Sequence, residues 1–303
     1  MKKTIIAASI AAVVAAPAAF ADVSISGFVL QEYDFEQDNN TGGTSGAASA
    51  ADINFAASED LGNGMKAFAK MGFSFDNGTI GSSTNDEVVG ISGDFGTFSM
   101  GRMEPYLESK VAGAASIGAL AETASIENDQ KSTKRVEGVM RYSLPSFNGL
   151  TVTIEGANEI DTNSGASSAG SQAGDDFAMT AIAAKYSNGG LTVNAVAERN
   201  EGANDIDAIA VIYKMGDLEG RVVHQASETN AGVDHDSTVY GVKYTMGANQ
   251  FGIGKRSTDT ADADDMIVGV THNLSKNTAI GLTHVNGDVS TSDKTIATLR
   301  VKF

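Results

Sequence analysis

Thr295-Ile-Ala-Thr-Leu-Arg-Val-Lys-Phe303, the last stretch of the sequence, decides the fold. Ala297, Leu299, Val301 and Phe303 alternate with Ile296, Thr298, Arg300 and Lys302. A period of two puts the first set on one face of a strand and the second, mostly polar, set on the other. A strand that runs to its final residue with an apolar, aromatic face must be paired and covered, or it is an exposed edge that recruits other chains. Closure of the sheet on itself is therefore expected.

The opposite end indicates where such a face is covered. Residues 1–21 read as a secretory signal peptide: Lys2 and Lys3 form the basic start, an apolar run extends from Ile5 to Ala16, and Ala19-Phe-Ala21 is a small-x-small cleavage site. The run is too short to span a bilayer as a helix and has no charged stop-transfer flank. The expected mature domain is 22–303, a chain of 282 residues. Loss of Lys2 and Lys3 leaves 19 basic against 38 acidic residues, net −19.

The composition excludes several classes. There is no cysteine, so an exported chain of this size is held without disulfides, as suits a bacterial envelope protein. After the signal no stretch approaches the roughly 20 apolar residues of a membrane helix. Helical periodicity is scarce and there are 34 glycines and three prolines, which fits a large all-β protein. The acidic balance argues against a nucleic-acid partner, whose phosphates would repel it.

Short alternating segments recur from Asp22 onward. Met65, Ala67, Ala69, Met71, Phe73 and Phe75 alternate with Lys66, Lys70 and Ser74. Val136, Gly138, Met140 and Tyr142 alternate with Arg135, Glu137, Arg141 and Ser143. Leu191–Ala197 and Tyr240–Tyr244 behave likewise. The connections also alternate. Turn-like pieces such as Asp60-Leu-Gly-Asn-Gly64 and Pro145-Ser-Phe-Asn-Gly149 supply the positive φ of tight hairpins. Longer pieces rich in Ser, Thr, Gly, Ala and Asp lie near 34–51, 76–85, 103–134, 158–176, 228–236, 258–264 and 287–292. Short turns at one end and long loops at the other characterise a transmembrane antiparallel barrel, here of roughly sixteen strands. A soluble β-sandwich or β-helix would have to bury Lys66, Lys70, Arg135, Glu137, Arg141, Glu198, Arg221, Lys243 and Arg300 in a dry core at prohibitive cost. The lumen of a barrel of about sixteen strands is wide enough to hold water and hosts them freely.

The chain resembles a Gram-negative general porin along its whole length. The matching residues are Ser24-Ile-Ser-Gly-Phe28, Glu59-Asp-Leu-Gly-Asn-Gly-Met-Lys-Ala67, Val88-Val-Gly-Ile-Ser-Gly-Asp-Phe-Gly-Thr-Phe-Ser-Met-Gly-Arg102, Arg135-Val-Glu-Gly-Val-Met-Arg-Tyr-Ser-Leu-Pro-Ser-Phe-Asn-Gly-Leu150, and Phe303. The resemblance implies a sixteen-stranded homotrimeric channel among outer-membrane lipids and lipopolysaccharide. It would pass small hydrophilic solutes and ions and hold no cofactor or metal. The third long loop would fold into the lumen, its acids facing wall arginines. Phe303 would be the mark by which barrels are recognised for assembly.

Between Arg102 and Arg135 lie about thirty residues without strand alternation, and unstructured connections of that length are usually functional. Expected constriction residues are Arg102, which by the resemblance anchors the loop root, Glu104, Glu108, Glu122, Glu127, Asp129 and Arg135, with Lys66, Lys70, Glu137, Arg141 and Arg300 on the lumen wall. Ala112-Gly-Ala-Ala-Ser116 and Gly118-Ala-Leu-Ala121 are small enough to pack close to the wall. Where many family members carry further basic residues this chain has Asp52 and Asn85. With the loop acids and the acidic mouth, that favours cations. The other readings are a solute-specific channel, an outer-membrane enzyme and a structural barrel. An enzyme lacks support: His272 and His284 have no Gly-x-Ser-x-Gly motif near them, and there is no Cys/His metal spacing or phosphate loop. The Asp262-Ala-Asp-Asp265 and Asp234-His-Asp236 runs do not follow the calcium-loop pattern.

Overall fold

The alternating segments form sixteen strands among the described residues: β1 (Asp22–Asp34), β2 (Ala47–Gly62), β3 (Met65–Asp76), β4 (Thr79–Gly93), β5 (Gly96–Met103), β6 (Val136–Ser143), β7 (Leu150–Ala157), β8 (Met179–Asn188), β9 (Leu191–Asn200), β10 (Asp205–Met215), β11 (Leu218–Glu228), β12 (Asp234–Met246), β13 (Asn249–Thr258), β14 (Asp265–Asn273), β15 (Thr278–Gly287) and β16 (Lys294–Lys302). The computed structural model describes residues 22–35, 47–76, 79–117, 120, 135–158, 177–201, 204–228, 232–259, 264–287 and 294–303. The segment read as a signal peptide lies outside them. Each strand pairs antiparallel with its sequence neighbours, and β1 pairs with β16 to close the barrel.

The short connections are as the sequence reads. At the β2–β3 turn Asn63 and Gly64 both take positive φ, 53° and 75°, the pair a tight hairpin demands. The other rim departs from expectation twice. The long connection expected at 76–85 is instead a continuation of β3 and β4 up to residues 77–78, with register shifts between Met71 and Phe75. β9 and β10 are joined through residues 201–204, a short connection that composition does not flag. There the Asn200 N–H donates to Asp205 Oδ1 at 3.0 Å, and its side-chain amide donates to the Asn204 carbonyl at 2.9 Å.

Antiparallel partners share a face, so the register sorts every strand into an outward and an inward row. Val89, Ile91, Met100, Met140, Ile154, Ile182, Tyr240, Ile253, Leu282, Leu299 and Val301 form exposed outward rows, the apolar band of a membrane barrel. Lys66, Lys70, Arg141, Glu155 and Arg221 stand in inward rows, whereas towards the long-loop rim Arg199, Asp207 and Lys255 stand in outward ones; within β6 the expected alternation itself is corrected. Met103 pairs with Val136 while Gly101 pairs with Val139, so β6 bulges at Gly138, whose φ is +65°. The bulge reverses the expected alternation: Val136 turns inward and is buried, and Glu137 turns outward.

At the seam, Phe303 and Gly27 exchange both backbone hydrogen bonds at 3.0 Å. The Phe303 ring lies over Gly27, where a Cβ would come within 2.7 Å of its Cζ. Phe303 thus completes the last rung of closure and caps a glycine that offers no side chain of its own. Deleting Phe303 removes both and should lower barrel yield in the outer membrane severely, whereas Lys302→Gln, an inward change opposite Phe28, should not. Equal yields of heat-resistant folded barrel for the two variants would remove this role.

Candidate functional site

The connection from β5 to β6 turns into the barrel. Its described part comprises Glu104 and Pro105, a π-helical turn over Leu107–Val111 entered from Tyr106, a 3-10 turn over Ala112–Ala115, Ser116, Ile117, and Leu120. Tyr106, Leu107, Val111, Ala114, Ala115 and Ile117 pack in one buried cluster with Ala181, Ala183, Val196, Ile206, Ala208, Ala210, Val223, Val239 and Ile267 of the inward rows. Small residues on both surfaces let backbone approach wall. Each fully buried Leu, Ile or Val in such a cluster contributes about 1.5–3 kcal/mol, so the loop is a packed element.

Polar contacts fix its course. Glu155 on β7 is buried and accepts from Arg141 Nε at 2.6 Å and from the Tyr106 N–H at 2.7 Å. Arg141 also donates to the Glu104 carbonyl at 2.6 Å. The Tyr106 hydroxyl reaches Asn194 Oδ1 on β9 at 3.1 Å, and burial raises the phenol above its usual pKa, keeping it a neutral donor. Further on, Arg221 of β11 donates to the carbonyls of Ala114 and Ser116 at 3.0 and 3.2 Å, and is itself held by Glu219 at 2.6 Å. The loop is thereby tied to β7 at its root and to β11 at its middle.

The root is also a charge cluster. Arg135 pairs with Glu104 at 2.9 Å and with Asp86 at 3.0 Å, and Asp86 pairs with Lys70 at 2.6 Å. Beside it Ser74 Oγ lies 2.6 Å from Asp52 Oδ1 and 2.7 Å from Asn85 Oδ1. Two cations and two carboxylates alternate, so the wall bases here are neutralised locally.

Of the residues expected from sequence, Glu104 and Arg135 meet in this cluster. Lys66, Lys70, Arg141 and Arg300 stand in inward rows, opposite Ser92, Val88, Glu155 and Leu30 respectively. Glu108 is in the π-helical turn against the wall. Glu122, Glu127 and Asp129 lie outside the described residues. Two expectations are corrected. Arg102 is opposite Glu87, in the row of Met100 and Phe98 that faces outward, and its partner there is Glu137 at 3.6 Å; neither lines the lumen. For Glu137 the cause is the bulge at Gly138, which the repeating pattern hides; Arg102 keeps the outward phase of Phe98 and Met100. Asp86, Glu155, Asn194 and Arg221 were not singled out as site residues. Asp86 lies in an ordinary Asn-Asp-Glu run, and the other three act on partners remote in sequence.

Glu155 is the residue whose loss should loosen the root. Removing one member of a buried ion pair costs about 3–5 kcal/mol, and Glu155→Ala also strands the Tyr106 N–H. The variant should melt earlier and show noisier single-channel current. An unchanged melting temperature with quiet current would mean that the tether contributes nothing.

The family model described as Gram-negative porin matches residues 7–292. The chain belongs to the Gram-negative porin family. This porin matches no curated protein. Among solved structures it is similar to OmpF of Salmonella typhi, solved in complex with daunomycin (14% identity, 93% of this chain and 97% of that one, TM-score 0.73). It is similar to a loop L8 deletion mutant of OmpT from Vibrio cholerae (15%, 93% and 99%, TM-score 0.74). It is also similar to an anion-selective porin from Comamonas acidovorans (19%, 94% and 100%, TM-score 0.67). At these identities the likeness concerns the fold. Family and fold point to a channel of the outer membrane rather than an enzyme.

Proposed function

We propose that this porin is a passive diffusion channel for small hydrophilic solutes and ions, narrowed by the loop from Glu104 to Leu120 and preferring cations. The observation that carries the reading is the loop's position, packed along the inward rows of β8–β12 and tied by Arg141 and Arg221. The inward rows of β16 and β1–β4 face it across the lumen. Size exclusion follows from that remaining gap.

Ion preference rests on this chain's own charges, because an anion-selective protein shares the fold. The bases nearest the loop root are matched by Asp86, Glu104 and Glu155, so the wall does not act as a free positive field. The mature chain's net −19 then dominates, raising cation concentration at the mouth. At that rim a hydrogen bond from Lys255 holds Asp264 below the usual carboxylate range, so it stays charged. Of the other acids expected at the mouth, Asp265 is an inward partner of Arg256, whereas Asp175, Asp176 and Asp262 lie outside the described residues.

The chain is exported with cleavage after Ala21, assembles as a homotrimer and sits among outer-membrane lipids and lipopolysaccharide; these steps rest on the signal pattern and on family membership. Liposome swelling tests the channel reading. Vesicles carrying the purified porin should swell in small sugars at rates that fall with sugar size. Vesicles that fail to swell although the barrel is folded would exclude an open channel.

A further inference from the structure

We infer that two wall glycines, Gly241 on β12 and Gly281 on β15, are the seats that set how far the loop recedes, and therefore fix the solute size limit. The inference rests on the loop being the constriction and assigns the width of the gap to particular wall positions. Gly241 is in an inward row, opposite Arg221, the same arginine that holds the Ala114 and Ser116 carbonyls. A Cβ built on Gly241 stands 2.5 Å from Ile117 Cγ1, 3.1 Å from its Cγ2, and closer still to its Cδ1. Ile117 is buried and branched at Cβ, so rotation about χ1 only exchanges one branch for another. Gly281 is opposite Thr298 and Thr271 in the inward rows of β16 and β14. Its Cβ would stand 2.9 Å from Leu120 Cβ. A Cβ is fixed to the backbone, so relief there requires the loop itself to move.

Neither glycine is required by its backbone angle, since φ is not positive at either position. Strand propensity would favour almost any other residue at both. What they supply is the missing side chain, which lets Ile117 and Leu120 sink into the wall. A packed interface displaces rather than compresses, so a side chain at either seat pushes the loop off the wall into the lumen and narrows the passage.

Gly241→Val and Gly281→Val should lower single-channel conductance about twofold and abolish swelling in the larger permeant sugars. Gly241→Ala and Gly281→Ala should produce a smaller loss in the same direction, and they serve if the valine variants do not assemble. Gly220→Val is the control: Gly220 is in an outward row with no atom within 4 Å of its Cβ position, and conductance should not change. Ile117→Ala combined with Gly241→Val returns volume to the interface and should restore conductance. Folded Gly241 and Gly281 variants that conduct like the unmodified porin would overturn the inference, as would a double variant that stays narrow. If excision of the loop middle also leaves conductance unchanged, it is the constriction reading that fails.

Discussion

Excising Gly113–Ala121 should raise single-channel conductance on the order of twofold and admit sugars that the unmodified porin excludes. The segment holds most of the 3-10 turn, the two carbonyls that Arg221 grips, and the two side chains seated on Gly241 and Gly281. Its removal frees lumen cross-section without touching a strand, since the root stays pinned through Glu155, Arg141 and the Glu104 carbonyl. The wall beneath keeps Ala181, Ala183, Ala208 and Ala210, small apolar residues that do not refill the space. Planar-bilayer recordings and liposome swelling measure the two effects. Unchanged conductance and an unchanged sugar limit would place the constriction elsewhere.

Asp86→Asn should shift ion preference strongly towards anions. Among the described residues Asp86 is the carboxylate that contacts both Lys70 and Arg135, and its loss takes one negative charge from between these two cations. These charges stand at the lumen wall, where screening is weaker than in open solvent, so the shift should persist at high salt. Asp264→Asn, at the exposed rim, is the contrast. Its effect should fade as the Debye length falls from about 8 Å at physiological salt to about 3 Å at 1 M. Reversal potentials in salt gradients at both ionic strengths separate the two. A reversal potential that Asp86→Asn leaves unmoved would show that this cluster does not govern selectivity.

The barrel was legible in the sequence because lipid imposes one rule on the outward residues of the apolar band. Leu299, Val301 and Phe303, or Tyr240, Val242 and Tyr244, report their direction without knowledge of any partner. Inward rows obey no such rule. Their polarity depends on what lies against them, so Ala208 and Val223 turn inward under the loop while Lys70 turns inward towards water. Register was legible only where no residue is inserted. One bulge at Gly138 sent Glu137 outward and Val136 inward, whereas Arg102 simply follows Phe98 and Met100 in the outward phase opposite Glu87. The loop itself was marked by its length and its small residues. Its anchors were not: Glu155 and Arg221 are ordinary strand charges until the fold brings Tyr106 and Ala114 to them.

The most direct test of a water-filled, cation-preferring channel is a planar-bilayer recording of the purified, unmodified porin across a salt gradient. The expected result is stepwise, ohmic current whose reversal potential has the sign of cation preference, largest at low ionic strength. Bilayers that stay sealed in the presence of folded protein, or a reversal potential of chloride sign at both low and high salt, would contradict it.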